Sequence, residues 1–274
     1  MKKIIRTFLV LLAIVPVLAI ESCGTGVFTA KRTSTENLII TGHRGGAGLG
    51  AENSLECIRK GIETGATSIE IDVHITADNK IVVCHDPTVD RTTNGSGAIN
   101  EMTLEQIKEL RLLENGAVTD LQIPTLEQVL EVIDGRVELL LEIKRKKGDN
   151  EGIEERVLEI LKENNALSYT AIQSFDDSVL ETLYALDNSL HLEKLLFCKL
   201  AGLPVIFDGK FTKFSFQKYH YIKSFNFYHK GLSKSLSKEL HDAGYKTRIW
   251  TLNDPDAIPD IELEGVITDR PDLF

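Results

Sequence analysis

The sequence predicts an α/β fold with parallel strands, in an element count that matches a (β/α)8 barrel. From Leu38 onward, short apolar runs alternate with helical patterns, the order that builds a parallel sheet with crossover helices. Nine runs qualify as strands: 38 to 43, 68 to 75, 80 to 85, 137 to 143, 169 to 175, 192 to 198, 221 to 228, 245 to 252 and 264 to 268. Only Thr76-Ala77-Asp78-Asn79 separates the second run from the third, whereas a parallel crossover needs about a dozen residues. The run 80 to 85 therefore folds back as a hairpin, and eight strands are left for the sheet. Residues 38 to 274 come close to the ~250 usual for such a barrel. A doubly wound sheet would hold the same count, and periodicity leaves that choice open.

The first element lies outside the fold. Lys2, Lys3 and Arg6 precede an uncharged run from Thr7 to Ile20, the charge-then-apolar order of a secretory signal. The run is short for a spanning helix, which needs roughly 20 apolar residues. It ends at Ile20-Glu21-Ser22-Cys23, which resembles a bacterial lipoprotein box, although Glu21 departs from the usual pattern. The expected organisation is a lipoprotein-type signal peptide at 1 to 22, a polar tether at 23 to 37 and one domain at 38 to 274. Export across the bacterial inner membrane and a lipid anchor at Cys23, on the periplasmic or cell-surface side, follow from it.

Within the domain, Asn53 or Ser54 can cap a helix running to Thr64, with Gly65 as its stop. Thr125 can cap 126 to 134, with Glu127 in the first turn and Gly135 after the end. Glu151 to Asn164 is amphipathic, with Ile153, Val157, Ile160 and Leu161 on one face. Residues 87 to 124 form the largest non-repeating piece, inserted after the hairpin. Residues 199 to 220 hold Phe207, Phe211, Phe214 and Phe216 in a lysine-containing stretch with no legible pattern.

With 42% hydrophobic and 26% charged residues, the 274-residue chain has the composition of a globular protein. Its formal charge of −10, from 41 acidic against 31 basic residues, gives no electrostatic footprint for gripping nucleic acid. An anionic substrate would need a local basic pocket or a cation. Besides Cys23, the cysteines are Cys57, Cys84 and Cys198, an odd and widely spaced set without zinc or disulfide spacing. They read as small buried apolar residues.

The chemistry starts at GHRGGAGLGAEN, residues 42 to 53. Gly46, Gly48 and Ala51 fit G-x-G-x-x-A after a strand, and Glu70 and Asp72 follow about 20 residues later, as a dinucleotide site requires. The competing reading gives the chemistry to His43 and Arg44. Residues two apart on a strand share a face, so Glu70 and Asp72 project together while Ile69, Ile71 and Val73 pack on the other side. Two carboxylates on one face of a buried strand need basic partners or a divalent cation held by hard oxygen ligands. LLLEIK, 139 to 144, sets Glu142 and Lys144 on one face amid leucines. Pro87 ends the run that leaves His85 at a carboxyl edge, where barrel active sites lie. Together these residues offer two histidines for proton transfer near neutrality, three carboxylates for a cation, and Arg44 with Lys144 for a phosphate. That combination is what cleavage of a phosphodiester needs.

HRG…EN at 43 to 53, IEIDVHIT at 69 to 76, VVCHD at 82 to 86, TNGSG at 93 to 97, IPTLEQVL at 123 to 130, LEIK at 141 to 144, SF at 174 to 175, IWTLN at 249 to 253 and GVITDRP at 265 to 271 resemble, in order, the motifs of the glycerophosphodiester phosphodiesterase family. The resemblance implies a TIM barrel with a β-hairpin and small insertion after its second strand. It also implies one bound Ca²⁺ or Mg²⁺, and glycerol 3-phosphate and an alcohol as products. It implies His43 and His85 as the catalytic pair, Glu70, Asp72 and Glu142 as metal ligands, and Arg44 and Lys144 as phosphate-binding residues. Glu52 and Asn53 would buttress the first loop, and Trp250 would be a substrate wall or an ordinary core residue. His74 has no role and reads as a solvated histidine. Residues 186 to 230 do not align with the family's pattern. A phospholipase D-like reaction on lysophospholipid or sphingomyelin, with the four phenylalanines lining a lipid mouth, is one alternative. A nicotinamide oxidoreductase, which has no use for a hairpin ending in His-Asp-Pro, is a second, and a non-catalytic surface-binding barrel, which has no use for the full histidine and carboxylate set, is a third.

Overall fold

The computed structural model describes residues 37–145 and 151–274. The expected signal segment, Cys23 and nearly all of the tether lie outside the described residues. In chain order the strands are β1 (Ile39–Gly42), β2 (Ser68–Ile75), β3 (Ile81–Val83), β4 (Leu113–Glu114), β5 (Ala117–Val118), β6 (Glu138–Ile143), β7 (Thr170–Ser174), β8 (His191–Leu196), β9 (Cys198–Lys199), β10 (Val205–Phe207), β11 (Phe211–Lys213), β12 (Ser224–Tyr228), β13 (Lys246–Trp250) and β14 (Gly265–Thr268).

Eight of them pair in parallel in the order β1-β14-β13-β12-β8-β7-β6-β2, and β2 pairs back onto β1 through Thr41–Ser68 and Gly42–Ile69. The sheet is therefore a closed (β/α)8 barrel, and the doubly wound alternative is excluded. β3 lies antiparallel on β2 with Val83 opposite Val73, the hairpin that the four-residue link requires.

The helices are α1 (Leu55–Glu63), α2 (Leu104–Glu109), α3 (Leu126–Ile133), α4 (Ile153–Glu163), α5 (Asp177–Leu186) and α6 (Lys234–Asp242). Ser54, not Asn53, caps α1, its hydroxyl accepting from the Cys57 N–H. Thr125 caps α3 in a reciprocal pair with Gln128. Ile69, Ile71 and Val73 of β2 pack outward in one core with Ile58 of α1 and Val129 and Ile133 of α3. Burying each of these side chains is worth about 1.5–3 kcal/mol. The same alternation turns Glu70 and Asp72 into the barrel. Cys57, Cys84 and Cys198 are all buried, the first two as free thiols.

The insertion has a small core of its own, in which Val89, Ile99, Ile107, Leu112 and Ile123 pack with Val82 and Cys84 of the hairpin and Ala51 of the first loop. This clamps the segment bearing His85 to the segment bearing His43. The run 192 to 198 is divided: the barrel strand ends at Leu196, and Cys198–Lys199 joins β10 and β11 in a separate three-stranded antiparallel sheet. The four phenylalanines are divided as well. Phe214 is buried against Tyr219 and Phe225, and Phe216 stacks on Tyr245, so these two belong to the core and not to a mouth.

Candidate active site

The chain turns sharply after β1. Arg44 adopts a left-handed conformation (φ 53°, ψ 39°), followed by Gly45 and Gly46 at φ 86° and 99°. A non-glycine residue there costs about 1–2 kcal/mol. Two hydrogen bonds hold it: the Arg44 N–H donates to Glu70 Oε2 at 2.8 Å, and its carbonyl accepts from the Asn53 N–H at 2.8 Å. A Cβ on Gly48 would lie 2.3 Å from Arg270 Cδ. The glycines thus make room for the first loop against the segment after β14, and the dinucleotide reading loses both its sheet and its use for them.

That segment carries Asp269. Its Oδ1 lies 2.7 Å from His43 Nδ1, while its Oδ2 accepts from Asn253 at 2.8 Å. Burial disfavours the His43 cation, but the Asp269 hydrogen bond and the charge of Glu70 outweigh it, and the pKa rises. His85 follows β3, with Nδ1 2.6 Å from Asp86 Oδ1. Here burial and the nearby Lys144 charge prevail, and the pKa falls. Each histidine spends Nδ1 on a carboxylate, which leaves Nε2 as the ring nitrogen for proton transfer. Arg91 ties the two loops together, pairing with Asp86 at 2.6 Å and with both oxygens of Glu52 at 2.7 and 2.8 Å. Glu52 in turn accepts from Arg44 at 3.0 Å. His74 is buried, not solvated, with Nε2 3.2 Å from the His85 carbonyl.

Glu70, Asp72 and Glu142 are buried and each offers an oxygen within 4.8 Å of the others. Lys144 Nζ is 2.7 Å from Glu142 and 3.0 Å from Asp72, and Asn53 donates to Asp72 at 3.0 Å. Burial and the adjacent Asp72 push Glu70 up to about 8. Burial also raises Glu142 against the pull of Lys144. Asp72 goes the other way, because Lys144, His85 and Arg44 overcome its burial and hold it well below the usual carboxylate range. Three converging carboxylates, two of them held reluctant to ionise, fit a hard divalent cation whose charge would relieve them.

A cavity of about 210 Å³ gathers the site. Its lining combines the charged and titratable residues His43, Arg44, Glu70, His85, Glu142 and Lys144 with the apolar residues Phe175, Leu195, Phe197, Trp250 and Ile267. It abuts a larger cleft of about 400 Å³ that shares His85, Glu142, Lys144 and Phe175 and is bounded by Pro87, Thr88, Asn100 and Glu101 from the insertion side. Trp250 is half-buried and donates Nε1–H to the Asn226 carbonyl at 2.9 Å. It is both wall and barrel strand, so neither sequence reading excludes the other.

Residues 43–273 match the model of the glycerophosphoryl diester phosphodiesterase family. The chain belongs to this family. A glycerophosphodiester phosphodiesterase of Caldanaerobacter subterraneus is 30% identical over 243 residues, covering 86% of this chain and 96% of that one. One from Bacillus altitudinis is 29% identical, covering 85% and 95%. Among solved structures, the Oleispira antarctica phosphodiesterase in complex with its product sn-glycerol 3-phosphate superposes with a TM-score of 0.71 at 24% identity, covering 85% and 93%. A glycerophosphodiester phosphodiesterase from Thermotoga maritima gives 0.66 at 26%, covering 86% and 96%. This family member is thus a phosphoric diester hydrolase on a TIM barrel.

Every site residue expected from sequence sits at or around one cavity, with Asp72, Glu52 and Asn53 holding the lining residues from behind. The sequence reading missed Asp269, Asp86, Arg91, Phe175 and Phe197. Asp86 and Asp269 stand inside the quoted motifs VVCHD and GVITDRP, so the signal was present without a role attached to it.

Proposed function

We propose that the chain hydrolyses glycerophosphodiesters to glycerol 3-phosphate and an alcohol in this cavity, with Ca²⁺ or Mg²⁺ held by Glu70, Asp72 and Glu142. The observation that carries the reading is the meeting of two carboxylate-oriented histidines, three buried carboxylates and two cations around about 210 Å³. When bound, the metal supplies charge neutralisation for the phosphoryl oxygens. Arg44 and Lys144 bind those oxygens, the guanidinium steered by Glu52 and the ammonium by Asp72 and Glu142. His85, kept neutral, takes the proton of the attacking hydroxyl at Nε2. His43, kept protonated by Asp269, delivers its proton to the leaving alcohol. The attacking group is the substrate's own glycerol 2-hydroxyl, giving a cyclic phosphate that water then opens, or water itself. The same two histidines serve either course. Phe175, Phe197 and Trp250 belong to the apolar lining and exclude bulk water.

The test is release of glycerol 3-phosphate from glycerophosphocholine and glycerophosphoethanolamine with Ca²⁺, with Mg²⁺ and with a chelator. Release with an ion and none with chelator is expected; no release under either ion rejects the reading. A bell-shaped kcat/KM profile is also expected. Its acid limb follows the lowered pKa of His85, which must lose its proton. Its alkaline limb follows the raised pKa of His43, which must keep its proton. Asp269→Asn should draw the alkaline limb towards lower pH and leave the acid limb in place; an unmoved profile would take Asp269 out of the scheme.

A second reading rests on one row of rings. Phe197 lies 5.3 Å from Trp250, Phe207 5.5 Å from Phe197, and Phe211 5.2 Å from Phe207, an apolar path suited to the acyl chain of a lysophospholipid. Faster turnover of lysophosphatidylcholine than of glycerophosphocholine would favour it. Export and a lipid anchor at Cys23 complete the proposal, and loss of fatty-acid labelling on Cys23→Ser is its check.

A further inference from the structure

The sheet of β9, β10 and β11 is built on the end of the barrel where the cavity opens, since it continues directly from the carboxyl end of β8. A buried ion cluster fixes it there. Lys194 of β8 is fully buried, pairs with Asp208 at 2.9 Å and Asp177 at 3.0 Å, and donates to the carbonyl of Phe175 in the cavity wall. Asp208, in the turn between β10 and β11, is thereby spent inward.

What faces out is basic and apolar. Between Leu200 and Phe214 the charged residues are Asp208, Lys210 and Lys213, and both lysines are exposed. In the same segment Leu203 and Phe211 are 54% and 51% exposed. Phe211 and Lys213 stand two apart on one strand and share a face of it. From Phe211 the rings of Phe207 and Phe197 lead to Trp250, so the exposed tip is continuous with the cavity wall.

Apolar side chains flanked by lysines, with no outward carboxylate between them, match the chemistry of an anionic bilayer interface. The chain as a whole carries −10, so an anionic membrane repels most of its surface and admits a locally basic face. We propose that β9–β11 docks the mouth of the barrel on an anionic phospholipid bilayer. Leu203 and Phe211 enter the headgroup region, and Lys210 and Lys213 contact lipid phosphates. This surface lies outside the cavity, so it stands or falls apart from the reaction.

The test is flotation of the chain from residue 37 onward with phosphatidylcholine vesicles and with vesicles that also contain phosphatidylglycerol. That chain carries every strand that closes the barrel. Binding is expected to the anionic vesicles and to weaken with salt. Lys210→Glu with Lys213→Glu should lower it by roughly fivefold or more per lysine, and Phe211→Ser should lower it as well, all with an unchanged unfolding midpoint. No flotation with anionic vesicles, or equal flotation of the double variant, overturns the proposal. Binding to polyglutamate that matches binding to vesicles and ignores Phe211→Ser also overturns it, and assigns the patch to an acidic protein.

Discussion

His85→Ala is expected to lower kcat on glycerophosphocholine by roughly 10²- to 10⁴-fold, the contribution typical of a positioned general base, with thermal unfolding unchanged. The stability expectation follows from the partners left behind. Asp86 loses the imidazole but keeps Arg91 at 2.6 Å, so no buried charge is stranded. His74 contacts the backbone carbonyl of residue 85, which the substitution does not remove. The lost side chain leaves a gap in the wall of a cavity that Lys144 and Trp250 also line, where added imidazole can enter. Partial recovery with imidazole would mark proton transfer as the missing element. A variant with near-wild-type kcat would remove His85 from the mechanism.

Why the sequence disclosed so much of this site has a physical reason. Strand period alone sends Glu70 and Asp72 to the side opposite Ile69, Ile71 and Val73, and a buried face tolerates such carboxylates only with partners. Glu142 and Lys144 obey the same rule, so the charged centre was legible from two short strings. The link 76–79 was likewise too short for anything but a hairpin. Asp269 was not legible as a partner because only barrel closure brings it to His43 across 226 residues of sequence. The fate of the phenylalanines was hidden for a related reason. Phe207 and Phe214 look alike in a string, yet β10 turns one towards Phe197 while Tyr219 and Phe225 enclose the other. That division depends on a small sheet whose strands are two or three residues long, too short to impose a period.

The second large effect is expected at Lys144. In chelator, Lys144→Met should destabilise the fold by about 3–5 kcal/mol, the usual consequence of removing one member of a buried ion pair. At about 2–4 °C per kcal/mol for a domain of this size, the unfolding midpoint would drop by roughly 6–20 °C. Asp72 would keep Arg44 at 3.7 Å and Asn53 at 3.0 Å, whereas Glu142 would lose the ammonium 2.7 Å away. Its pKa is raised already, and without Lys144 it rises further. The folded variant then binds more protons than the unfolded chain over the window between the two pKa values. Its stability must therefore fall as pH increases from the ordinary glutamate range through the raised folded value. Ca²⁺ or Mg²⁺ replaces the missing positive charge among the same three carboxylates, and at about 100 times the dissociation constant should return roughly 2.7 kcal/mol. Differential scanning calorimetry in chelator and in each ion reads this without any substrate. A variant midpoint indifferent to both ions would show that Glu70, Asp72 and Glu142 do not form a cation site, whatever the enzyme's activity.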